Sequence, residues 1–139
     1  LRPTEHRLEL KKMGDITIID DAFNSNPEGS KMALEVLDLM EGTKVVVTPG
    51  MIELGKEEYN LNRNFGKEIS KVADYVILVG ENQTKPIYDG LISAKFSKDK
   101  IIVINDVKKS FSLIRDFKEK DKELYALLEN DLPDIFNEK

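Results

Sequence analysis

The 139-residue chain contains no cysteine and no tryptophan, and His6 is its only histidine. Without cysteine, disulfides and thiolate metal sites are excluded, an absence compatible with a cytosolic origin. A lone histidine with no second nitrogen or thiolate ligand nearby makes a poor metal centre, so His6 defaults to a surface or packing role and no metal-binding residue is assigned. No apolar run reaches membrane-spanning length and no signal peptide is visible, so no membrane partner is expected. The net charge of −5 argues against a general nucleic-acid-binding surface. Two phosphate-binding signatures are also missing. No Gly-x-Gly-x-x-Gly opens a helix, and no Gly-x-x-x-x-Gly-Lys-[Ser/Thr] supplies a phosphate cradle. The chain starts at Leu1 rather than at a methionine, and the expectation is a piece of a larger protein.

What is present is enough apolar sequence for one domain with a substantial core. Polar and apolar residues alternate from His6 to Leu10, and the stretches 8–11 and 16–19 flank the turn Met13-Gly14-Asp15, a hairpin pattern. Further short apolar or β-branched runs predict strands at 16–20, 44–48, 75–79, 101–104 and 124–128. Helical spacing predicts helices at 27–41, 56–72, 84–95 and 107–117. In the first of these, Met32, Ala33, Val36, Leu37 and Met40 form the expected core face, with both methionines as packing residues. Asp106 is expected to cap the last helix. Strands alternating with helices define an α/β layer sandwich with a mostly parallel sheet.

One corner organises the rest. The run 16–19 ends in Asp20 and Asp21, passes through a short polar turn, and enters a helix at Pro27. Ser25 or Asn26 can cap that helix, Pro27 suits its first turn, and Glu28 favours its positive end. Acceptors at a strand tip facing helix N–H groups suit a polar ligand, and the plain alternative is a capped connection with two solvated aspartates. A second loop, Pro49-Gly50, follows the strand at 44–48. In an open parallel sheet both loops share one edge, where ligands bind.

The segment Asp-Asp-Ala-Phe-Asn-Ser-Asn-Pro resembles the Asp-Asp-[Ala/Ser]-Tyr-Asn-Ala-Asn-Pro signature of the Mur ligases. His6-Arg7-Leu8-Glu9 resembles the opening of that family's C-terminal domain. Thr48-Pro49-Gly50-Met51-Ile52-Glu53-Leu54-Gly55 resembles the segment after its next strand. The resemblance covers essentially the whole chain but only the last third of the family's architecture. It implies a Rossmann-like three-layer sandwich, with missing N-terminal and central domains that hold the UDP-sugar and the phosphate cradle. Within the family it points to the member that adds D-alanyl-D-alanine to a UDP-N-acetylmuramoyl-peptide, using ATP and Mg2+, in the cytoplasm.

The resemblance also implies roles. Arg7 would act on the ATP phosphates, where a guanidinium fork matches phosphate oxygens; otherwise it pairs with Glu5 or Glu9. Asp21 would bind the nucleotide ribose, with Asp20 taking that place in a shifted alignment. Both Arg7 and Asp21 are expected at a polar sheet edge rather than in the core. Asn24 and Asn26 would contact nucleotide or incoming substrate, or serve only as loop and cap residues. Glu53 would bind substrate or fix the second loop. Two positions depart from the family: Phe23 replaces the usual tyrosine, and Asn62 stands where a histidine is frequent. Another Mur ligase, a folylpolyglutamate synthase-like domain and a non-catalytic Rossmann-like binding domain are the alternative readings.

Overall fold

The computed structural model describes residues 8–22 and 26–130. The strands are β1 (Glu9–Met13), β2 (Ile16–Asp21), β3 (Thr43–Thr48), β4 (Tyr75–Val79), β5 (Ile101–Ile104) and β6 (Leu124–Glu129). The helices are α1 (Pro27–Leu39), α2 (Glu58–Ser70), α3 (Lys85–Ser93) and α4 (Ser110–Phe117). The six strands form one sheet in the order β1-β2-β6-β3-β4-β5. Only the β1–β2 hairpin is antiparallel; it turns at Gly14, whose φ of 65° suits a residue without a Cβ.

The central strands read as unbroken apolar runs because both faces are covered. Ile19, Val46, Val76, Leu78 and Leu127 pack against Leu34 and Leu37 of α1, Phe65 and Ile69 of α2, and Ile87 and Leu91 of α3. Ile18, Val45, Val47, Ile77 and Leu128, one position off, pack against Ile114 of α4 on the opposite face. The period-two alternation of strand side chains therefore sorts each strand between two cores. Tyr75 of β4 and Phe117, the last residue of α4, stack with ring centroids 4.1 Å apart. Helices α2 and α3 approach through glycines: a Cβ on Gly66 would collide with the Ile87 carbonyl, and one on Gly90 with that of Arg63.

Several details differ from the sequence reading. Helix α1 stops at Leu39, with Met40 as its C-cap, rather than continuing to 41. Met32 is 63% exposed, so it is not a core residue; the buried stripe of α1 runs through Ala33, Leu34 and Leu37. A 3.6-residue period leaves room for only one such stripe, and Leu34 claims the place assigned to Met32. The expected helix at 56–72 begins as a 3-10 turn at Gly55–Glu57, and that at 107–117 as one at Val107–Lys109, where Asp106 Oδ1 accepts from the Lys108 N–H at 3.0 Å.

Candidate functional site

Parallel pairing of β2, β6, β3 and β4 brings their carboxyl ends to one edge. The corner after β2 and the loop after β3 therefore lie along a common edge, with the end of β6 between them. Arg7 and Asn24 lie outside the described residues, as do His6 and Phe23.

At the β2 tip the two aspartates have different surroundings. Asp20 Oδ1 accepts from the Ala22 N–H at 3.0 Å, and its Oδ2 pairs with Lys11 Nζ at 3.2 Å. Asp21 ends β2 at the carboxyl edge but is only 6% exposed, so the reading of two solvated aspartates does not hold for it. It stands in register with Glu129 of β6, and in a parallel ladder paired residues point to the same face. That face is the one covered by α1, since Ile19 and Leu127, two residues earlier on each strand, pack there. Asn26 is the N-cap of α1: its Oδ1 accepts from the Gly29 N–H at 2.8 Å, with Pro27 and Glu28 in the first turn.

The β6 tip carries a buried polar network that sequence reasoning missed. Glu129 and Asn130 are fully buried, and Asn130 adopts a left-handed φ of 71°. Ser30 Oγ of α1 donates to Glu129 Oε2 at 2.9 Å and accepts from Asn130 Nδ2 at 3.2 Å. Thr48 Oγ1 donates to Asn130 Oδ1 at 2.7 Å and accepts from the Gly50 N–H at 3.0 Å. One hydrogen-bonded path thus runs from the start of α1, across the end of β6, into the second loop. Buried networks of this kind hold geometry when their members are paired. The acidic, polar run after 128 was the only signal in the sequence, and it resembled an ordinary strand exit.

The second loop is clamped from inside. Asn62 is 1% exposed; its Oδ1 accepts from the Met51 N–H, and its Nδ2 donates to the Met51 and Glu58 carbonyls, all at 2.9 Å. Gln83 Nε2 donates to the Pro49 carbonyl at 2.8 Å. Gly50 has a φ of 88°, and Glu53, which is exposed, has a φ of 62°, an uncommon conformation for a residue with a Cβ. The clamp fixes the loop while leaving the Glu53 side chain in solvent. Among the described residues, no group of three or more His, Cys, Asp or Glu is placed to hold a metal ion, and no helix is long and apolar enough to cross a membrane.

Such an open, largely parallel α/β sheet, with helices on both faces and a polar, hydrogen-bonded carboxyl edge, defines a Rossmann-like domain built to present loops to a ligand. Residues 6–125 match the family described as Mur ligase, glutamate ligase domain. The chain belongs to the Mur ligase family and forms its C-terminal domain. It is 37% identical over 73 residues to the UDP-N-acetylmuramoyl-tripeptide--D-alanyl-D-alanine ligase of Bacillus subtilis (strain 168), a match covering 50% of this chain and 16% of that protein. Its fold is that of a MurF ligase from Thermotoga maritima crystallised with ADP, with a TM-score of 0.71 and 23% identity over 94% of this chain and 29% of the other. A MurF from Acinetobacter baumannii gives a TM-score of 0.75 at 20% identity, covering 93% and 28% respectively. The chain therefore spans less than a third of the length of each of these proteins.

Proposed function

We propose that this domain is the C-terminal part of an ATP-dependent amide-bond-forming ligase that adds D-alanyl-D-alanine to a UDP-N-acetylmuramoyl-tripeptide. The observation that carries this reading is the 37% identity, over 73 residues, to the UDP-N-acetylmuramoyl-tripeptide--D-alanyl-D-alanine ligase of Bacillus subtilis. N-terminal and central domains of the intact protein would hold the UDP-sugar and the ATP phosphates, in the cytoplasm where such precursors are used. ATP transfers its terminal phosphoryl group to the tripeptide carboxylate; the dipeptide amine displaces phosphate from the acyl phosphate. Charge accumulates on the phosphoryl oxygens, and fixed cations lower that barrier.

In this scheme the domain supplies Arg7 to the phosphates and Asp21 to the ribose, with Asp20, Asn24 and Asn26 around the nucleotide. Asn26 and Glu53 line the approach of the incoming dipeptide. The ADP bound to the Thermotoga maritima neighbour supports the nucleotide role. Magnesium, held mainly by the central domain, would neutralise phosphate charge.

Because Asp21 is buried beside Glu129, the informative variant is Asp21→Asn, which keeps the volume. In the intact protein, Asp21→Asn should raise KM for ATP by about tenfold or more, as expected for a lost charge-assisted hydrogen bond. Arg7→Ala should lower kcat by roughly a hundredfold. Unchanged steady-state kinetics in both variants would remove the nucleotide roles.

A further inference from the structure

A groove of about 190 Å³ lies between α1 and α2. Pro27, the first residue of α1, and Met51, from the second loop, line it at the carboxyl edge. Its floor is apolar, formed by Leu34, Met51 and Phe65, each nearly buried. Its rim carries Glu28, Lys31 and Glu68. Glu68 is paired with Lys71 at 3.7 Å. Glu28 and Lys31 have no ion-pair partner among the described residues, although they stand one turn apart on the same helix.

An apolar floor flanked by one unpaired carboxylate and one unpaired ammonium is complementary to a short zwitterion with small apolar side chains. The volume falls below the roughly 300–1,000 Å³ of drug-sized sites. Two extended residues span about 7 Å, and side chains at i and i+3 of a helix, with Cβ atoms about 5–6 Å apart, can reach both ends of such a ligand. Glu28 belongs to the first turn and is the closer of the two to the reactive edge.

We infer that this groove seats the incoming D-alanyl-D-alanine, with its amino end at Glu28, its methyl groups on Leu34, Met51 and Phe65, and its carboxylate on Lys31. The inference rests on the ligase reading above and names Lys31 as the residue that selects a dipeptide with a free carboxylate.

The test uses the intact protein with ATP, the UDP-linked tripeptide, and either D-alanyl-D-alanine or its C-terminal amide, with phosphate release as the readout. In the wild type, amidation should raise KM for the dipeptide by about tenfold, the effect of one lost charge-assisted contact. Lys31→Ala should raise KM for the free dipeptide by a similar factor, leave KM for ATP unchanged, and show less than about a twofold further penalty on amidation, because carboxylate and ammonium would lose one shared interaction. Lys31 is solvent-exposed on a helix and alanine is a good helix former, so the fold should tolerate the change. A full amidation penalty persisting in Lys31→Ala, or an unchanged KM in that variant, would overturn the assignment while leaving the ligase reading intact. No dipeptide-dependent turnover by the wild type would remove both.

Discussion

Replacing Asn62 with alanine tests the clamp on the second loop. The side chain makes three hydrogen bonds of 2.9 Å at 1% exposure, two of them to the N–H and C=O of Met51, which is itself 2% exposed. The Glu58 carbonyl starts α2 and has the backbone N–H four residues on as an ordinary donor. The Met51 groups lose their side-chain partner outright. A buried polar group left unsatisfied costs about 1–3 kcal/mol, so Asn62→Ala should lose about 2–4 kcal/mol of stability. For a domain of this size that lowers Tm by on the order of 10 °C. Asn62→Asp refines the test. It keeps the acceptor for the Met51 N–H but turns a carboxylate oxygen toward two carbonyls in a buried place. The introduced carboxyl starts from about 3.9 in the unfolded chain, and its folded pKa is raised by burial and the facing carbonyls. A raised pKa means that stability is retained below that unfolded value and lost as pH rises through the folded one. Asn62→Asp should therefore approach wild type near pH 4 and fall behind toward neutrality. Calorimetric melts of both variants across pH provide the measurement. A wild-type Tm for Asn62→Ala would refute the claim that this side chain holds the loop.

Other positions give independent checks. Gly90→Ala should destabilise by about 1–3 kcal/mol through overpacking, despite alanine's better helix propensity, because its Cβ meets the Arg63 backbone rather than a movable side chain; urea denaturation reads this directly, and a gain in stability would show that α2 and α3 separate freely. The Tyr59 hydroxyl donates to Asp89 Oδ2 at 2.7 Å, and this hydrogen bond raises its pKa above the usual 10.0. Its contribution is present below the unfolded value and fades as pH rises through the folded one. Ultraviolet titration should find the phenol ionising above its normal range in wild type and closer to it in Asp89→Asn; identical midpoints would contradict the bond's role.

The legible parts of the fold were the local ones. The 44–48 and 75–79 runs read as strands because both faces of a parallel sheet accept apolar side chains. A cap at Ser25 or Asn26, which the structure gives to Asn26, and one at Asp106 were legible because such side chains reach only two or three residues along the chain. The shared edge of the two loops followed from parallel connectivity. What escaped was interaction across sequence distance. Ser30 meets Glu129 and Asn130, and Thr48 meets Asn130, over separations of 99, 100 and 82 residues. No periodicity announces such a pair. Asn62 was noted as a departure from a family histidine, yet its work is to satisfy one peptide unit in another element. Asp21 looked solvent-facing because it is charged and ends a strand, whereas the register with Glu129 draws it under α1.

The central claim is that this chain completes a ligase for D-alanyl-D-alanine. The most direct measurement is mass analysis of the nucleotide product after incubating the intact protein with ATP, magnesium, UDP-N-acetylmuramoyl-tripeptide and D-alanyl-D-alanine. The account predicts a UDP-linked pentapeptide, formed with phosphate release that requires all three substrates, and none from the 139-residue chain alone. Unchanged tripeptide after prolonged incubation, or transfer of a different amine in a competition mixture, would contradict it.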